Sequence, residues 1–258
     1  MKSRPPKKIE SLFKFLLKNH GFNKEIQDGF LRQTLSSYET NEDRARLLLH
    51  KMVNTQSQPK LDPIRDFFMS VAKNRKSLSS FKSFSLFLAN TSAKKKGGLF
   101  EALKAQPGWG PKTAALFVRN LALIEQNQVL RSKFWTDIDV LKSEEINLPV
   151  DAVILSIFSR FTKEDLDLKK SVPKTFESIN SYLKNDLHYS NEDILIWDDL
   201  WFWGFITQSS KSENRERAHV WNDAKYWSIF NAPQDNVSIR QIERRANEFL
   251  KIMEHKGK

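Results

Sequence analysis

The sequence predicts an all-α protein. Apolar residues recur at helical spacing along nearly the whole chain, strand-like alternation is scarce, and the few glycines are grouped where tight turns must be. Taken in order, Ile9, Leu12, Phe13, Leu16 and Leu17 fall at i, i+3, i+4, i+7 and i+8, the stripe of an amphipathic helix. Similar stripes run through Leu47 to Val53, Ile64 to Ala72, Leu78 to Leu88, Ala114 to Ile124, Val153 to Phe161, Phe176 to Leu183, Ile194 to Ile206 and Ile239 to Met253. Gly97-Gly98 and the pair Gly108 and Gly110 punctuate the middle. Between about Gln126 and Pro149 the chain turns polar and rich in Asp, Glu and Lys, which reads as an insertion or long connection.

Composition narrows the partners. With 258 residues the chain can bury one large core or two modest ones. Its 42 Lys and Arg against 31 Asp and Glu leave a net charge of +11, which favours a polyanion, nucleic acid being the commonest. There is no cysteine, so disulfides, iron–sulfur clusters, zinc ribbons and thiol catalysis are excluded, and a reducing interior is expected. The five histidines, His20, His50, His188, His219 and His255, include no pair at metal-ligand spacing, and no protein-built metal site is expected. No apolar run reaches the roughly 18 residues of a membrane span. The basic start, Met1 to Lys8, leads into an amphipathic stretch rather than an export signal, so an intracellular protein, cytoplasmic or nuclear, is expected.

The most informative segment is Leu99 to Leu123, LFEALKAQPGWGPKTAALFVRNLAL. One helix ends near Gln106, Pro107-Gly108-Trp109-Gly110 turns the chain, and Pro111 opens a second helix where its missing N–H costs nothing. Two glycines a residue apart let the turn backbone approach a ligand closely. The new helix offers free N–H groups and a positive dipole end to an anion such as phosphate. This is the chemistry of a sequence-independent grip on a DNA backbone.

PGWGPKTAALFV resembles the second half of the helix-hairpin-helix motif of DNA glycosylases, with Trp109 where that family usually carries Val or Ile, either anchoring the hairpin or pressing on DNA. The resemblance implies DNA contacts from Gly108, Trp109, Gly110, Lys112 and Thr113. It also implies that Lys112, two residues after the second glycine, attacks the sugar C1′. A free lysine has a pKa near 10.4, so only about one in 2,500 is neutral at pH 7, and a nucleophilic lysine needs burial or a neighbouring cation. The plainer role for a lysine beside such a turn is a phosphate contact.

A second element lies downstream. In NLPVDAVILSIFSRF, Pro149 breaks the chain, Asp151 caps a new helix, and Val153, Ile154, Ile157, Phe158 and Phe161 form its buried face. LPVD before an apolar helix resembles the superfamily's aspartate motif, which implies that Asp151 stabilises the oxocarbenium-like sugar as the base departs. Its other reading is a pure N-cap. The Lys112–Asp151 separation is about twice that usual in endonuclease III-like members and is similar to the archaeal 8-oxoguanine glycosylase branch.

Two regions are candidates for holding an extruded base. LLLHKMVNTQSQ resembles the early superfamily helix whose end lies near the lesion, which makes Asn54, Gln56 and Gln58 base-edge candidates beside their plain role as polar helix-end residues. In WDDLWFWGF, four-residue spacing puts Trp197 and Trp201 on one face and Asp199 and Trp203 on another. Asp199 and Trp203 would suit a purine, the indole stacking and the carboxylate accepting ring N–H groups, unless the aromatics are simply core. Lys94, Lys95, Lys96, Arg119, Lys211, Arg215 and Arg217 are candidate phosphate contacts.

The resemblance implies a monomer of two helical subdomains with a DNA-binding cleft between them: residues 1–45 packing with 166–258, which carries the aromatic helix, and 46–165 holding the hairpin (about 99–123) and the Asp151 helix. It implies base-excision repair of double-stranded DNA containing a damaged base, 8-oxoguanine first, with lyase activity and no organic cofactor. The rival readings are a monofunctional glycosylase for alkylated or mispaired bases and a non-catalytic DNA-binding module.

Overall fold

The computed structural model describes residues 6–91, 97–161, 172–209, 217–229 and 236–254, and among these every regular element is helical. The chain divides into two compact units, Met1–Asn23 with Val150–Lys258, and Lys24–Pro149. Helix α1 (Lys7–Ser36) gives its first part to one unit and the rest to the other. It outruns the stripe that ends at Leu17, because Leu31 and Leu35 renew the apolar face and are fully buried.

In the unit Lys24–Pro149, helix α2 (Asn41–Val53) starts at Thr40, whose hydroxyl accepts the amide of Asp43, and buries Ala45, Leu48, Leu49, Met52 and Val53. Helix α3 (Leu61–Lys73) buries Phe67 and Val71. The stripe from Leu78 to Leu88 is not one helix: a 3-10 turn (Arg75–Ser79) ends at the extended residue Ser80, and α4 (Phe81–Thr91) begins anew. The break is held from outside, since the Asp137 carboxylate accepts the amides of Phe81 and Lys82 at 3.0 Å each and Ser80 Oγ accepts that of Ser83. Helix α5 (Leu99–Lys104) is capped by Glu144, which accepts the Leu99 amide at 2.6 Å, and α6 (Pro111–Gln126) follows with a nearly continuous buried run from Thr113 to Ile124. Burial pushes the Glu144 carboxyl above its ordinary range although two amides favour its charged form.

The polar stretch after Gln126 is no loose insertion. It forms α7 (Gln128–Ser132) and α8 (Val140–Ser143) and buries Leu130, Phe134, Trp135, Ile138, Val140, Ile146 and Leu148. Trp135 stacks on Phe134 at 4.5 Å and donates its indole N–H to the Leu78 carbonyl at 2.8 Å. Its apolar residues come at irregular spacing among charged ones, so no single period marks them as core.

The other unit contains α9 (Ala152–Phe161), α10 (Val172–Ser181) running into a π turn (Tyr182–Asp186), α11 (Asn191–Asp198), α12 (Leu200–Ile206), α13 (Asp223–Trp227) and α14 (Asn236–Glu254). Ser190 and Asp193 form a reciprocal cap on α11. The unit boundaries differ from the sequence expectation. They fall at Asn23 rather than residue 45 and at Pro149 rather than residue 165, so α9 belongs with the C-terminal helices. The reason is packing: a Cβ on Gly204 of α12 would lie 2.5 Å from Val153 Cγ1 and 2.6 Å from Ile157 Cδ1, so the missing side chain is what seats α12 against α9. Among the described residues no helix is long and apolar enough to cross a membrane.

Candidate functional site

The residues singled out in sequence fall into two groups, one in each unit. In the unit Lys24–Pro149 the turn between α5 and α6 assembles Gly108, Trp109, Gly110, Lys112 and Thr113. The two glycines do different work. Gly108 has φ +79°, and a Cβ there would lie 2.6 Å from Ile64 Cγ1 and 2.8 Å from the Ile64 backbone nitrogen. Gly110 has an ordinary φ of −110° with nothing within 4 Å of where a Cβ would stand. The close backbone approach at Gly108 is therefore to α3 of the same unit, while only Gly110 keeps open space beside it.

Helix α6 begins at Gly110 with no side-chain cap and with Pro111 in its first turn. Lys112 is half-buried in that turn and its Nζ donates to the Thr55 carbonyl at 3.2 Å. Thr113 is buried. Gln56 donates from Nε2 to the Gly108 carbonyl at 3.0 Å, tying the end of α2 to the turn, and this contact gives its amide a scaffold role rather than a free edge. Asn54 caps the C-terminus of α2 with its backbone N–H and puts Nδ2 3.0 Å from His50 Nδ1, while Gln58 is exposed.

Trp109 resolves its two alternatives toward anchoring. Only 6% exposed, it sits edge-on to Phe67 (5.3 Å between centroids) and Phe117 (6.1 Å), so its ring faces the core and not a DNA surface. Its Nε1 is buried without a hydrogen-bond partner. Trp109→Ala is expected to cost about 3–5 kcal/mol in chemical unfolding followed by circular dichroism, the range for deleting a buried aromatic. Trp109→Phe should cost well under half of that, since it also removes the unpaired N–H.

The other unit holds Asp151, at the head of α9. Its Oδ1 accepts the amides of Val153 at 2.8 Å and Ile154 at 3.0 Å, which makes it the N-cap. Its Oδ2 accepts the indole N–H of Trp201 at 2.9 Å. Both carboxylate oxygens are thus fixed, one by the helix and one by α12. Lys112 and Asp151 belong to different units.

The chain matches no family model, no curated protein and no solved structure.

Asp199 and Trp203 do not form an open purine pocket. Both are completely buried; Trp203 is packed against Phe15, Phe22 and Phe202 and donates Nε1–H to Asn23 at 3.1 Å, while Asp199 Oδ2 lies 2.7 Å from His20 Nδ1. The chain bends at Asp199 between α11 and α12, which turns this face onto α1. Trp197 is likewise core, against Phe13, Phe158 and Tyr189. Two participants were not foreseen. His20 is joined to Asp199 across 179 positions and Trp201 to Asp151 across 50, and no local pattern encodes either pairing. The four-residue step from Trp201 to Phe205 was the one available signal, and those rings do stack, 5.0 Å apart and 11° from parallel.

Of the candidate phosphate contacts, Arg119 donates to Asn120 Oδ1 and Arg217 is half-buried. Lys94, Lys95, Lys96, Lys211 and Arg215 lie outside the described residues. Among the described residues no three His, Asp or Glu side chains gather as metal ligands.

Proposed function

We propose that the chain is a helix-hairpin-helix DNA glycosylase with lyase activity, acting on double-stranded DNA that contains a damaged base. One observation carries the reading: a lysine in the first turn of an uncapped helix, behind a Pro-Gly-Trp-Gly turn, coexists with a carboxylate fixed at the head of an apolar helix. The net charge of +11 supports a polyanionic partner. In this reading the turn and the first amides of α6 hold a phosphate, and Asp151 offsets the positive charge that develops on the sugar.

The reaction balances without a cofactor. The Lys112 amine forms a bond to C1′ as the N-glycosidic bond breaks, and the base leaves with that electron pair and acquires a proton. Loss of the amine proton and ring opening give a Schiff base; removal of a C2′ proton then expels the 3′ phosphate, and water releases Lys112. An oxidised purine is the first substrate class to assay, on the long Lys112–Asp151 connection alone, because Asp199 and Trp203 no longer support it.

A second reading has its own support. Lys112 rests on the Thr55 carbonyl and both Asp151 oxygens are engaged within the protein, Oδ1 as the cap of α9 and Oδ2 by the Trp201 indole, as a non-catalytic DNA-binding module would also allow. Borohydride trapping on duplexes bearing 8-oxoguanine, an alkylated base or a mismatch separates the possibilities. A covalent adduct in wild type that is absent in Lys112→Gln establishes the lyase. Base release without an adduct indicates a monofunctional enzyme, and neither outcome on any duplex leaves only the binding module.

A further inference from the structure

We infer that the cleft between α2 and α3 takes an unpaired nucleic-acid strand, with bases stacked on Phe68 and Tyr38 and a phosphate on Arg46. The cleft holds about 560 Å³, within the roughly 300–1,000 Å³ of ligand-binding clefts. Its walls are the facing sides of two antiparallel helices. Asp43, in the first turn of α2, meets Arg75 just past the end of α3 at 2.8 Å. Gln56, past the end of α2, reaches Gly108, where the missing Cβ leaves room for Ile64 in the first turn of α3. Leu47, Phe68 and Ala72 give the cleft an apolar lining, and the Phe68 ring meets that of His50 at 5.6 Å and 58°. Tyr38 and Met69 line it too, yet stay 42% and 54% exposed. Apolar surface gathered in one groove, rather than scattered singly, marks a place of binding.

The charges at the cleft suit a phosphate. Its one carboxylate, on Asp43, is already engaged: Oδ2 accepts from the Thr40 hydroxyl and from Arg75, both at 2.8 Å. Arg46 lies 3.4 Å from Oδ1, and Arg65 pairs with its near neighbours Asp62 and Asp66. Exposed pairs of this kind contribute about 0–1 kcal/mol, so both guanidinium groups can turn to an incoming anion at little cost. Both cations are arginines, whose planar heads stack on rings as well as pairing with phosphate. The ring faces accept any base, but only one freed from its partner, so the cleft selects single strand over duplex and not one sequence over another. The net charge of +11 draws a polyanion to the surface. Just beyond His50 the chain reaches Thr55 and Gln56, which hold Lys112 and Gly108, so the cleft adjoins the hairpin turn. A strand continuous between turn and cleft rests on the reading of that turn as a phosphate grip; the stacking and the Arg46 contact do not.

The test titrates the full chain into a tetranucleotide carrying 2-aminopurine, too short to pair, whose fluorescence falls when the base stacks. Wild type should quench it to saturation. Met69→Glu sets a carboxylate at an exposed helix position in the cleft, so affinity should fall at least about tenfold, through like-charge repulsion of the strand, while the helical spectrum is unchanged. Arg46→Gln should weaken binding and lower the slope of log K against log salt by about 0.7, the share of one phosphate on a single strand. Tyr38→Leu should weaken it at least about fivefold, the lower end for one lost base–aromatic stack. If wild type does not quench, the nucleic-acid assignment is wrong and the cleft is left to a protein segment. Equal affinity in wild type and Met69→Glu would also overturn it. So would an unchanged salt slope in Arg46→Gln, which decides the matter even where Met69→Glu does not fold. A chain that quenches through the cleft but releases no base from any damaged duplex keeps this site and loses the glycosylase reading. Base release with quenching that none of the three substitutions alters does the reverse.

Discussion

Asp151→Asn should slow base release by about 10²- to 10³-fold, the range for removing one preorganised electrostatic group, while leaving the protein folded. The amide oxygen can still accept from Val153 and Ile154, and Asn is as good an N-cap as Asp. The new NH₂ group then faces the Trp201 N–H, donor against donor, where Oδ2 had accepted at 2.9 Å. Turning the amide over would mend that contact and lose two backbone bonds, so the first arrangement prevails. Trp201 is partly solvated, which keeps the cost near the lower end of the usual 1–3 kcal/mol for an unsatisfied group. Thermal melting should therefore move by a few degrees and single-turnover excision by orders of magnitude. An Asn variant that excises at the wild-type rate would reduce Asp151 to a cap.

Gly108→Ala should be among the most destabilising single substitutions in the unit Lys24–Pro149. Left-handed backbone costs a non-glycine residue about 1–2 kcal/mol. A Cβ would also meet Ile64 at 2.6 Å on its side chain and 2.8 Å on its backbone nitrogen. That nitrogen already donates to the Lys60 carbonyl at 3.2 Å in the first turn of α3, so the helix start itself would have to shift, and overpacking of this kind costs about 1–3 kcal/mol more. Gly110→Ala meets nothing and has an ordinary φ, so urea unfolding should change by no more than about 1 kcal/mol, the penalty for alanine at an N-cap. Its effect should fall on binding instead: anisotropy with an undamaged duplex should show about tenfold weaker affinity, because the added methyl stands where a phosphate would approach α6, where backbone contacts position rather than read DNA. Equal affinities for wild type and Gly110→Ala would remove the turn from the DNA contact.

The helices were legible because burying one face of a helix leaves a period in the sequence. The Leu47–Val53 and Ala114–Ile124 stripes are α2 and α6, and Pro111 and Asp151 mark the starts of α6 and α9 by chemistry confined to a few residues. What failed to show were features imposed from a distance. Asp137 splits the Leu78–Leu88 stripe from more than fifty positions away, and the region after Gln126 is core although its composition is that of a loop. Spacing put Asp199 and Trp203 on one face and both are buried, but periodicity states which residues share a side and not what covers it.

The sequence by itself determined an all-helical chain, its excess positive charge, the turn at Gly108 and the helix-capping carboxylate at Asp151, since each depends on near neighbours or on composition. Only the tertiary structure decided that Trp109 and Trp203 are core, that Gly108 is required by Ile64, and that Trp201 is the indole on Asp151. Those assignments depend on which helix lies against which. That is settled by the summed packing of many side chains, a quantity no short window of residues contains.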